Sequence, residues 1–246
     1  NREIRILMLC QHPTIIKFHG YSLIDFQGER RVTIFMDNAQ KGSLFDVLKR
    51  SRDGFADENY DNTARQIIHT GVARGMMYLH QHNVIHRDLK AANILLDEYF
   101  RPYITDFGLS KIYEKGQDMY HSMSGIGTSY YIAPEVIQGQ RYNGKADVYS
   151  YAIIMYEVLT ETSPYPLLED GTMSQFEFSQ KVAFQNYRPK FTVPVKKSFR
   201  KLIKRCWSED PNERPTFEEI FKKLAYNIDD FLYNIYDDVN DNDVNN

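Results

Sequence analysis

The chain has 246 residues, of which 42% are hydrophobic and 26% are charged, so it is long enough to bury a sizeable core. A formal net charge of -3 argues against nucleic acid or a membrane surface as its main partner. Its two cysteines, Cys10 and Cys206, lie far apart, which favours buried or free thiols over a disulfide framework and is compatible with a cytoplasmic location.

A helical pattern opens the chain. Apolar residues recur at helical spacing over residues 2–10, and the pattern ends at Pro13, which lacks an N–H and restricts the residue before it. Strand-like segments follow at residues 15–23 and 31–36. Because the chain starts without Met and already in a helix, we expect a fragment of a longer polypeptide, with a helix and two or three strands in residues 1–36.

The middle of the chain predicts two further helices and two short strands. One helix opens after Ser43, and a long helix covers residues 60–80. Short strands are expected at residues 94–96 and 103–105. Residues 111–127 have no sustained periodicity and are rich in serine, glycine and polar residues, which predicts a mobile surface segment.

The C-terminal half predicts helices around one buried helix. Residues 147–159 are apolar nearly all round the helix, and the run is shorter than the roughly 20 residues that a membrane-spanning helix needs. The last helix begins at Pro215, with a capping box formed by Thr216 and Glu219. Residues 227–246 are rich in Asp and Asn and predict a solvated acidic tail with a disordered end, or alternatively an acidic partner-binding tail.

The most informative motif is a pair of loops. Residues 86–93 read His-Arg-Asp-Leu-Lys-Ala-Ala-Asn, and the triplet Asp-Phe-Gly follows at residues 106–108. Either motif alone is more simply an ordinary turn. Both together, in this order and spacing, are typical of a catalytic loop followed by a metal-binding loop, and they predict a phosphotransferase.

Phosphoryl transfer explains why these residue types are needed. Asp88 and Asn93 lie five residues apart on one loop, close enough for a carboxylate to take the proton of an acceptor hydroxyl while an amide oxygen reaches a metal. Lys90 is predicted to lie at the transferred phosphate. Asp106 follows a predicted strand, and Gly108 permits the turn that presents its carboxylate as the second Mg²⁺ ligand.

These motifs resemble the eukaryotic protein kinase family over residues 2–225, as do the segments Ala133-Pro134-Glu135 and Asp147-Val148-Tyr149-Ser150. Arg188-Pro189 and Cys206-Trp207 are similar to the tyrosine-kinase-like branch of serine/threonine kinases. The resemblance implies an α+β fold, with a mostly helical large lobe and a remnant of the small β lobe. The implied divisions are a partial small lobe at 1–36, a hinge at 37–43, a large catalytic lobe at 44–226 and the acidic tail at 227–246.

The resemblance also implies supporting roles. Arg214 would form an ion pair with Glu135, a solvated surface arginine being the alternative, and Asp147 would brace the backbone of the catalytic loop. His86 and Phe107 would stack with Leu7 and Phe18 into a regulatory spine. Met36 would precede the hinge residues, and Glu3 would pair with the lysine that positions ATP. The residues implied to contact Mg-ATP are Asp37, Ala39, Leu95, Asn93 and Asp106.

Acceptor specificity and regulation follow from the same resemblance. Lys90 and Thr128 are similar to the residues that serine/threonine kinases carry at these positions, and dual specificity is left open.

Arg87 next to the catalytic Asp suggests control by loop phosphorylation, because a guanidinium binds phosphate bidentately. Ser124 is the predicted phosphosite, with Ser122 second and an unmodified loop as the alternative. Lys111 would be a second cation that binds the phosphate. An upstream kinase or the protein itself would add that phosphate.

The leading hypothesis is therefore a protein serine/threonine kinase that transfers the γ-phosphate of ATP to protein hydroxyls with Mg²⁺. Two alternatives remain: a pseudokinase or partner-binding scaffold, and a small-molecule phosphotransferase, which the Ala133-Pro134-Glu135 segment disfavours. The glycine-rich loop and phosphate-binding lysine of the family have no counterpart in this sequence. We accordingly expect the fragment itself to be nearly inactive.

Overall fold

A computed structural model describes residues 2–113 and 130–226 of the chain. Within these two ranges helices predominate, and the strands are short and belong to three small sheets. This mixture agrees with the predicted α+β class. The predicted acidic tail at 227–246 and the loop residues Ser122, Ser124 and Thr128 lie outside the described residues.

The elements follow in chain order. The helices are α1 (Arg2–Leu9), α2 (Leu44–Arg52), α3 (Asn62–Gln81), α4 (Pro134–Ile137), α5 (Lys145–Thr160), α6 (Pro166–Glu169), α7 (Gln175–Phe184), α8 (Lys197–Cys206) and α9 (Phe217–Tyr226). The strands are β1 (Phe18–Ser22), β2 (Thr33–Met36), β3 (Gly42–Ser43), β4 (Val84–Ile85), β5 (Ile94–Leu96), β6 (Pro102–Ile104) and β7 (Lys111–Ile112).

Two N-terminal strands form a small antiparallel hairpin beside α1. Strands β1 and β2 pair from Phe18–Met36 to Ser22–Thr33, with a register shift between Phe18 and Gly20. The first strand is shorter than the predicted 15–23, because Ile15 forms a bridge with Ile104 of β6 instead. The backbone N–H of Ile16 also donates to the Ile104 carbonyl at 3.0 Å, so this segment is joined to β6, which packs on α3.

A second sheet and a two-strand pair surround the predicted catalytic motifs. Strands β3, β5 and β6 form one antiparallel sheet, and β4 pairs with β7 through Val84–Ile112 and Ile85–Lys111. The pairing corrects the prediction that residues 111–127 lack regular structure, at least at their start. A two-residue strand has no periodicity to detect, and only its partner strand defines it.

Side-chain caps define several helix starts. Ser43 and Asp46 form a capping box at α2, in which each backbone N–H donates to the other side chain at 3.2 Å. The predicted capping box at α9 is present as well: the Thr216 N–H donates to Glu219 Oε2 at 2.7 Å, and the Glu219 N–H to Thr216 Oγ1 at 3.2 Å. Helix α9 begins one residue after Thr216, so Pro215 precedes it.

The core is built around α5 and α3. Helix α5 is buried along nearly its whole length, as its apolar pattern predicts, and α3 packs between α9 and β6. Close contact on α3 requires glycine: a Cβ on Gly71 would lie 2.5 Å from Pro102 Cγ, and a Cβ on Gly75 would lie 2.5 Å from Thr14 Oγ1. Glycine at both positions lets β6 and the residues after α1 lie directly on the helix.

Both cysteines are free and buried, Cys10 after α1 and Cys206 at the end of α8. Burial raises the pKa of each thiol above its usual range, so neither is a ready thiolate at neutral pH. No described helix is both long enough and apolar enough to span a membrane.

One buried histidine makes the stability of this core sensitive to acid. The His69 ring on α3 lies against Phe199 of α8 with a centroid distance of 5.4 Å, and neither ring nitrogen has a hydrogen-bond partner. Burial, helped by the charge of Arg65, lowers the pKa of His69 to about 3. The folded state therefore excludes a proton that the unfolded state binds below its ordinary pKa of about 6.5.

We expect His69→Leu to remove this acid sensitivity. Stability linked to His69 is complete above pH 6.5 and falls as the pH drops from 6.5 toward 3, by about 1.4 kcal/mol per pH unit. Urea unfolding at pH 7 and at pH 5 measures this effect. Between pH 7 and pH 5 the natural chain should lose about 2 kcal/mol more of its free energy of unfolding than the variant loses. An equal pH dependence in the two proteins would mean that His69 is protonated in the folded state.

Candidate active site

The predicted catalytic loop joins β4 to β5 and places three side chains together. Asp88 Oδ2 accepts hydrogen bonds from Lys90 Nζ at 2.6 Å and from Asn93 Nδ2 at 2.9 Å. Asn93 Nδ2 also donates to the Asp88 carbonyl at 2.8 Å. A short 3₁₀ turn at Ala91–Asn93 brings Asn93 back toward Asp88, so the carboxylate is oriented from two sides.

A buried carboxylate holds the start of this loop. Asp147, in the first turn of α5, accepts the backbone N–H groups of His86 and Arg87, each at 2.9 Å, and a hydrogen bond from His80 Nε2 at 2.8 Å. Arg87 has φ 71°, a left-handed conformation that is costly for a residue with a side chain. The two backbone hydrogen bonds to Asp147 offset that cost. They also orient the backbone from which the Asp88 side chain projects.

The ionised form of Asp147 is the one that fits here. Its burial acts to raise the pKa, but the hydrogen bond and charge of His80 and the hydrogen bond from the Arg87 N–H outweigh burial. The pKa of Asp147 is therefore held below its usual range. An anion at this point accepts all three hydrogen bonds at once.

His86 and Phe107 connect the two motif loops. The His86 ring donates from Nε2 to the Thr105 carbonyl at 3.0 Å and contacts the Phe107 ring at a centroid distance of 5.2 Å. Ser110 Oγ donates to the His86 carbonyl at 3.0 Å. Both rings are fully buried, and burial lowers the pKa of His86, so it acts as a neutral packing residue that fixes the Asp-Phe-Gly loop against the catalytic loop.

Asp106 is presented on a turn that few residues adopt. Its φ is 61°, its side chain is exposed, and Oδ1 accepts the Gly108 N–H at 3.3 Å. A Cβ at position 108 would lie only 3.2 Å from that Oδ1, so glycine leaves room for the carboxylate. Asp106 thus carries its oxygens toward solvent next to the catalytic loop.

The donor set fits a magnesium ion that shares its ligands with a phosphate. Because Asn93 uses its amide N–H groups toward Asp88, its remaining side-chain atom is the acceptor oxygen. That oxygen and the Asp106 carboxylate are the hard ligands that Mg²⁺ prefers, and Mg²⁺ is commonly held by one or two carboxylates plus substrate phosphates. In the described ranges no cluster of three or more His, Cys, Asp or Glu side chains forms a separate metal cage.

The predicted hinge connects β2 to β3. The backbone N–H of Asp37 donates to the Lys17 carbonyl at 3.0 Å, and its carboxylate contacts His19 Nε2 at 2.5 Å. The Ala39 carbonyl accepts the Gly42 N–H at 3.2 Å. Leu95 is half-buried on β5, in register with Ser43 at the end of that connection. Met36, which precedes the hinge, is 37% exposed.

Glu3 on α1 lies close enough to Asp106 for the two charges to interact. Burial raises the pKa of Glu3, and the negative charge of Asp106 raises it further. The next turn of α1 places Leu7 in the core, with Phe18 of β1 packed against that core at a partly buried position. The first helix therefore carries its one acidic side chain toward the Asp-Phe-Gly loop.

A buried ion pair joins the end of the Ala133-Pro134-Glu135 segment to the C-terminal helices. Arg214 Nη1 and Nη2 donate to the two Glu135 oxygens at 2.7 and 2.8 Å, and both side chains are at least 95% buried. Arg214 Nε donates to the Ser208 carbonyl at 2.9 Å, and the guanidinium lies 5.3 Å from the centroid of the Tyr149 ring. The alternative of a solvated surface arginine does not hold.

Sequence reasoning missed two hydrogen bonds that connect Tyr131 to α5. Tyr131 donates to Glu157 Oε2 at 2.6 Å, and Ser150 Oγ donates to the Tyr131 carbonyl at 2.8 Å. Burial raises the pKa of Glu157 to about 7, although the Tyr131 hydrogen bond opposes the rise. The one available signal was a glutamate inside an otherwise apolar helix, a position where a carboxyl group needs a buried partner.

The regulatory residues are only partly described. The Arg87 side chain lies close enough to the buried Tyr142 hydroxyl for the two to interact, which the sequence did not suggest. Lys111 is exposed on β7, opposite Ile85 of β4, and Ile85 lies two residues before Arg87 in the chain. The phosphosites predicted for these cations, Ser124 and Ser122, lie outside the described residues, as does Thr128.

Comparison with known proteins adds a family to this geometry. The family model "protein kinase domain" matches residues 1–224. In Dictyostelium discoideum, the probable serine/threonine-protein kinase drkC is 36% identical over 225 residues, and the dual specificity protein kinase pyk3 is 36% identical over 252 residues. The serine/threonine-protein kinase STY17 of Arabidopsis thaliana is 32% identical over 224 residues.

These alignments cover most of the chain but a minor part of each relative. They include 91% of the chain with drkC, 98% with pyk3 and 91% with STY17. The matched regions make up only 28%, 17% and 36% of the three relatives, in the same order.

Proposed function

This chain belongs to the protein kinase family, and we propose that the protein containing it transfers the γ-phosphate of Mg-ATP to serine and threonine hydroxyls of other proteins. The observation that carries the proposal is the Asp88 carboxylate, hydrogen-bonded by both Lys90 and Asn93 on a loop whose backbone is held by Asp147.

Asp88 is proposed as the group that accepts the proton of the acceptor hydroxyl. Its Oδ2 is already a hydrogen-bond acceptor, and a hydroxyl within reach of the carboxylate would donate to it as the oxygen attacks phosphorus. Lys90, now paired with Asp88, would turn its ammonium toward the transferred phosphoryl group and neutralise its developing charge. Proton acceptance and charge neutralisation would thus come from one short loop.

Asn93 and Asp106 are the proposed ligands of magnesium. Bound Mg²⁺ would neutralise phosphate charge and orient the phosphates for in-line transfer. The support for this assignment is chemical: one amide oxygen and one carboxylate, each held by hydrogen bonds, on two loops that His86 and Phe107 join. We propose Asp37, Ala39 and Leu95 as the contacts of the nucleotide base, and Glu3 as a residue that aligns the phosphates through a lysine.

Serine and threonine are the proposed acceptors. Lys90 favours them by the family resemblance, and the names of drkC and STY17 agree with that preference, whereas pyk3 is named a dual specificity kinase. We also propose that Arg87 and Lys111 receive a phosphate on Ser124 or Ser122, added by an upstream kinase or by the protein itself. We further propose the division of the chain into a partial small lobe at 1–36, a hinge at 37–43 and a large lobe at 44–226.

A phosphoamino-acid analysis tests this function. The complete gene product, incubated with radiolabelled ATP, Mg²⁺ and a mixed protein substrate, is expected to yield labelled phosphoserine and phosphothreonine, and no transfer after chelation of Mg²⁺. Phosphotyrosine at a comparable level would establish dual specificity. No transfer at all, with partners still captured by the folded protein, would favour the scaffold alternative.

A further inference from the structure

Helix α8 carries an unusual concentration of positive charge. Five of its ten residues are Lys or Arg, none is acidic, and the residue that caps its start is Lys196. Buried Phe199, Leu202, Ile203 and Cys206 form the opposite face, which packs on α5 and α3. The positive charge therefore lies on the face turned away from the core.

Three lysines define what we call the basic face: Lys197, Lys201 and Lys204, all exposed. They follow a spacing of four and then three residues, so they are neighbours in one row along the helix. Like charges at this spacing destabilise a helix. No carboxylate within residues 2–113 or 130–226 forms an ion pair with any of the three, although Arg205 on the same helix lies 3.8 Å from Glu219.

The opposite charge is concentrated in one other part of the chain. Residues 227–246 contain six Asp and no Lys or Arg. Because the whole chain carries a net charge of -3 and this segment carries -6, residues 1–226 carry +3. The C-terminal segment is therefore acidic without any basic residue, whereas residues 1–226 carry a small net positive charge, and five of their cations lie on α8.

The described part of the chain ends next to α8. Gln66 Nε2 on α3 donates to the carbonyl of Leu224, in the last turn of α9, at 2.8 Å. One turn along α3, His69 contacts Phe199, in the first turn of α8. Residues one turn apart on α3 therefore contact the end of α9 and the start of α8. It follows that α9 ends, at Tyr226, close to the start of α8.

The segment is long enough to cover the helix. Twenty extended residues can span about 65 Å or more, whereas a ten-residue helix is about 15 Å long. Although each exposed ion pair is weak, a segment tethered a few residues away has an effective concentration in the millimolar range, so several weak pairs can act together.

We propose that residues 227–246 bind back onto the basic face of α8 in the same molecule, through Asp side chains paired with Lys197, Lys201 and Lys204. Charge complementarity and the position at which the described chain ends both favour this occupant over a separate acidic partner. The bound segment would compete with other anionic surfaces for these three lysines. This inference is independent of the proposed catalytic function.

Zero-length carbodiimide cross-linking of the 246-residue chain tests the proposal, because it joins a lysine amine to a carboxylate only when the two are in contact. We expect the Asp residues of 227–246 to be linked mainly to the basic face, with a yield that falls about threefold or more in 1 M salt, where the screening length is about 3 Å. Lys222 and Lys223 provide the internal control, since they are closer in sequence to these Asp residues. Links confined to Lys222 and Lys223 would overturn the proposal.

Charge reversal gives a second readout. The triple variant Lys197→Glu, Lys201→Glu and Lys204→Glu should speed chymotryptic cleavage after the aromatic residues of 227–246 severalfold. The matched control, Lys17→Glu, Lys49→Glu and Lys223→Glu, changes the net charge equally and should cleave at the natural rate. A Lys→Gln triple, tested the same way, covers the case in which charge reversal prevents folding. Equal cleavage in all variants would overturn the proposal.

Two further measurements exclude other occupants. In a mixture of isotopically light and heavy chains, links to the basic face should join only residues of one isotope, and mixed links would replace the proposal with contact between two copies.

Binding to phosphatidylserine vesicles should be stronger when the six Asp residues are changed to Asn, because the basic face is then uncovered. Equal vesicle binding by the natural chain and this variant would overturn the proposal in favour of a lipid surface.

Discussion

Replacing Asp88 with Asn in the complete gene product is expected to lower kcat by a factor of about 10² to 10⁴, the usual contribution of a positioned general base. The variant keeps the shape and one hydrogen-bond acceptor of the side chain, so Lys90 and Asn93 retain a partner. What is lost is the carboxylate that takes the hydroxyl proton. Steady-state phosphorylation of a peptide substrate, with kcat and KM determined separately, measures the effect.

The control for this measurement is Glu98→Gln, an exposed carboxylate in the turn between β5 and β6. It removes one negative charge close to the site in sequence and should leave kcat unchanged. If Asp88→Asn retains the kcat of the natural protein while Glu98→Gln behaves the same way, the assignment of Asp88 as the base is wrong. A rise in KM alone would assign Asp88 to substrate binding.

Truncating Arg214 to Ala is expected to destabilise the chain by about 3–5 kcal/mol, the cost of leaving a buried partner charge uncompensated. Glu135 would then remain in a buried site without its two hydrogen bonds of 2.7 and 2.8 Å. The Arg214 side chain would also leave a void beside Tyr149. Urea unfolding of the natural chain and the variant, followed by circular dichroism, gives the difference.

An exposed pair of nearly the same length provides the matched control. Lys222 Nζ lies 2.7 Å from Glu218 Oε1, but more than half of each side chain is exposed. Lys222→Ala should leave the urea midpoint almost unchanged, since water replaces the lost contact. Replacing both Arg214 and Glu135 by apolar residues should cost less than Arg214→Ala alone. Equal effects of the buried and exposed truncations would show that water reaches the Arg214–Glu135 pair.

The pattern of hydrogen bonds explains how the loop of residues 86–93 is held in place. Asp147 belongs to α5, which is buried along nearly its whole length, and it accepts two backbone N–H groups of the loop rather than contacting its side chains. A loop held by its backbone can keep its shape when neighbouring side chains change. Arg87, with its left-handed φ of 71°, is a point where the chain needs this support.

The long periodic elements could be predicted from the sequence alone. The buried helix predicted at 147–159 is α5, and the capping box of Thr216 and Glu219 begins α9, because both depend on local spacing. The kinase resemblance is confirmed by the family match across residues 1–224. Strands β3, β4 and β7 could not be predicted, because two-residue strands exist only through their partners.

The residue types of the candidate site were readable from the sequence, because the 86–93 and 106–108 motifs carry them at fixed spacing. Their arrangement was not, because contacts between residues far apart in the chain depend on how the helices pack. The His80–Asp147, Tyr131–Glu157 and Arg87–Tyr142 pairs each join segments separated by at least 26 residues. The sequence by itself therefore determined the chemistry and the family, through local order. Only the tertiary structure decided which buried partners hold that chemistry in place, since burial and long-range packing set both the geometry and the charge of each group.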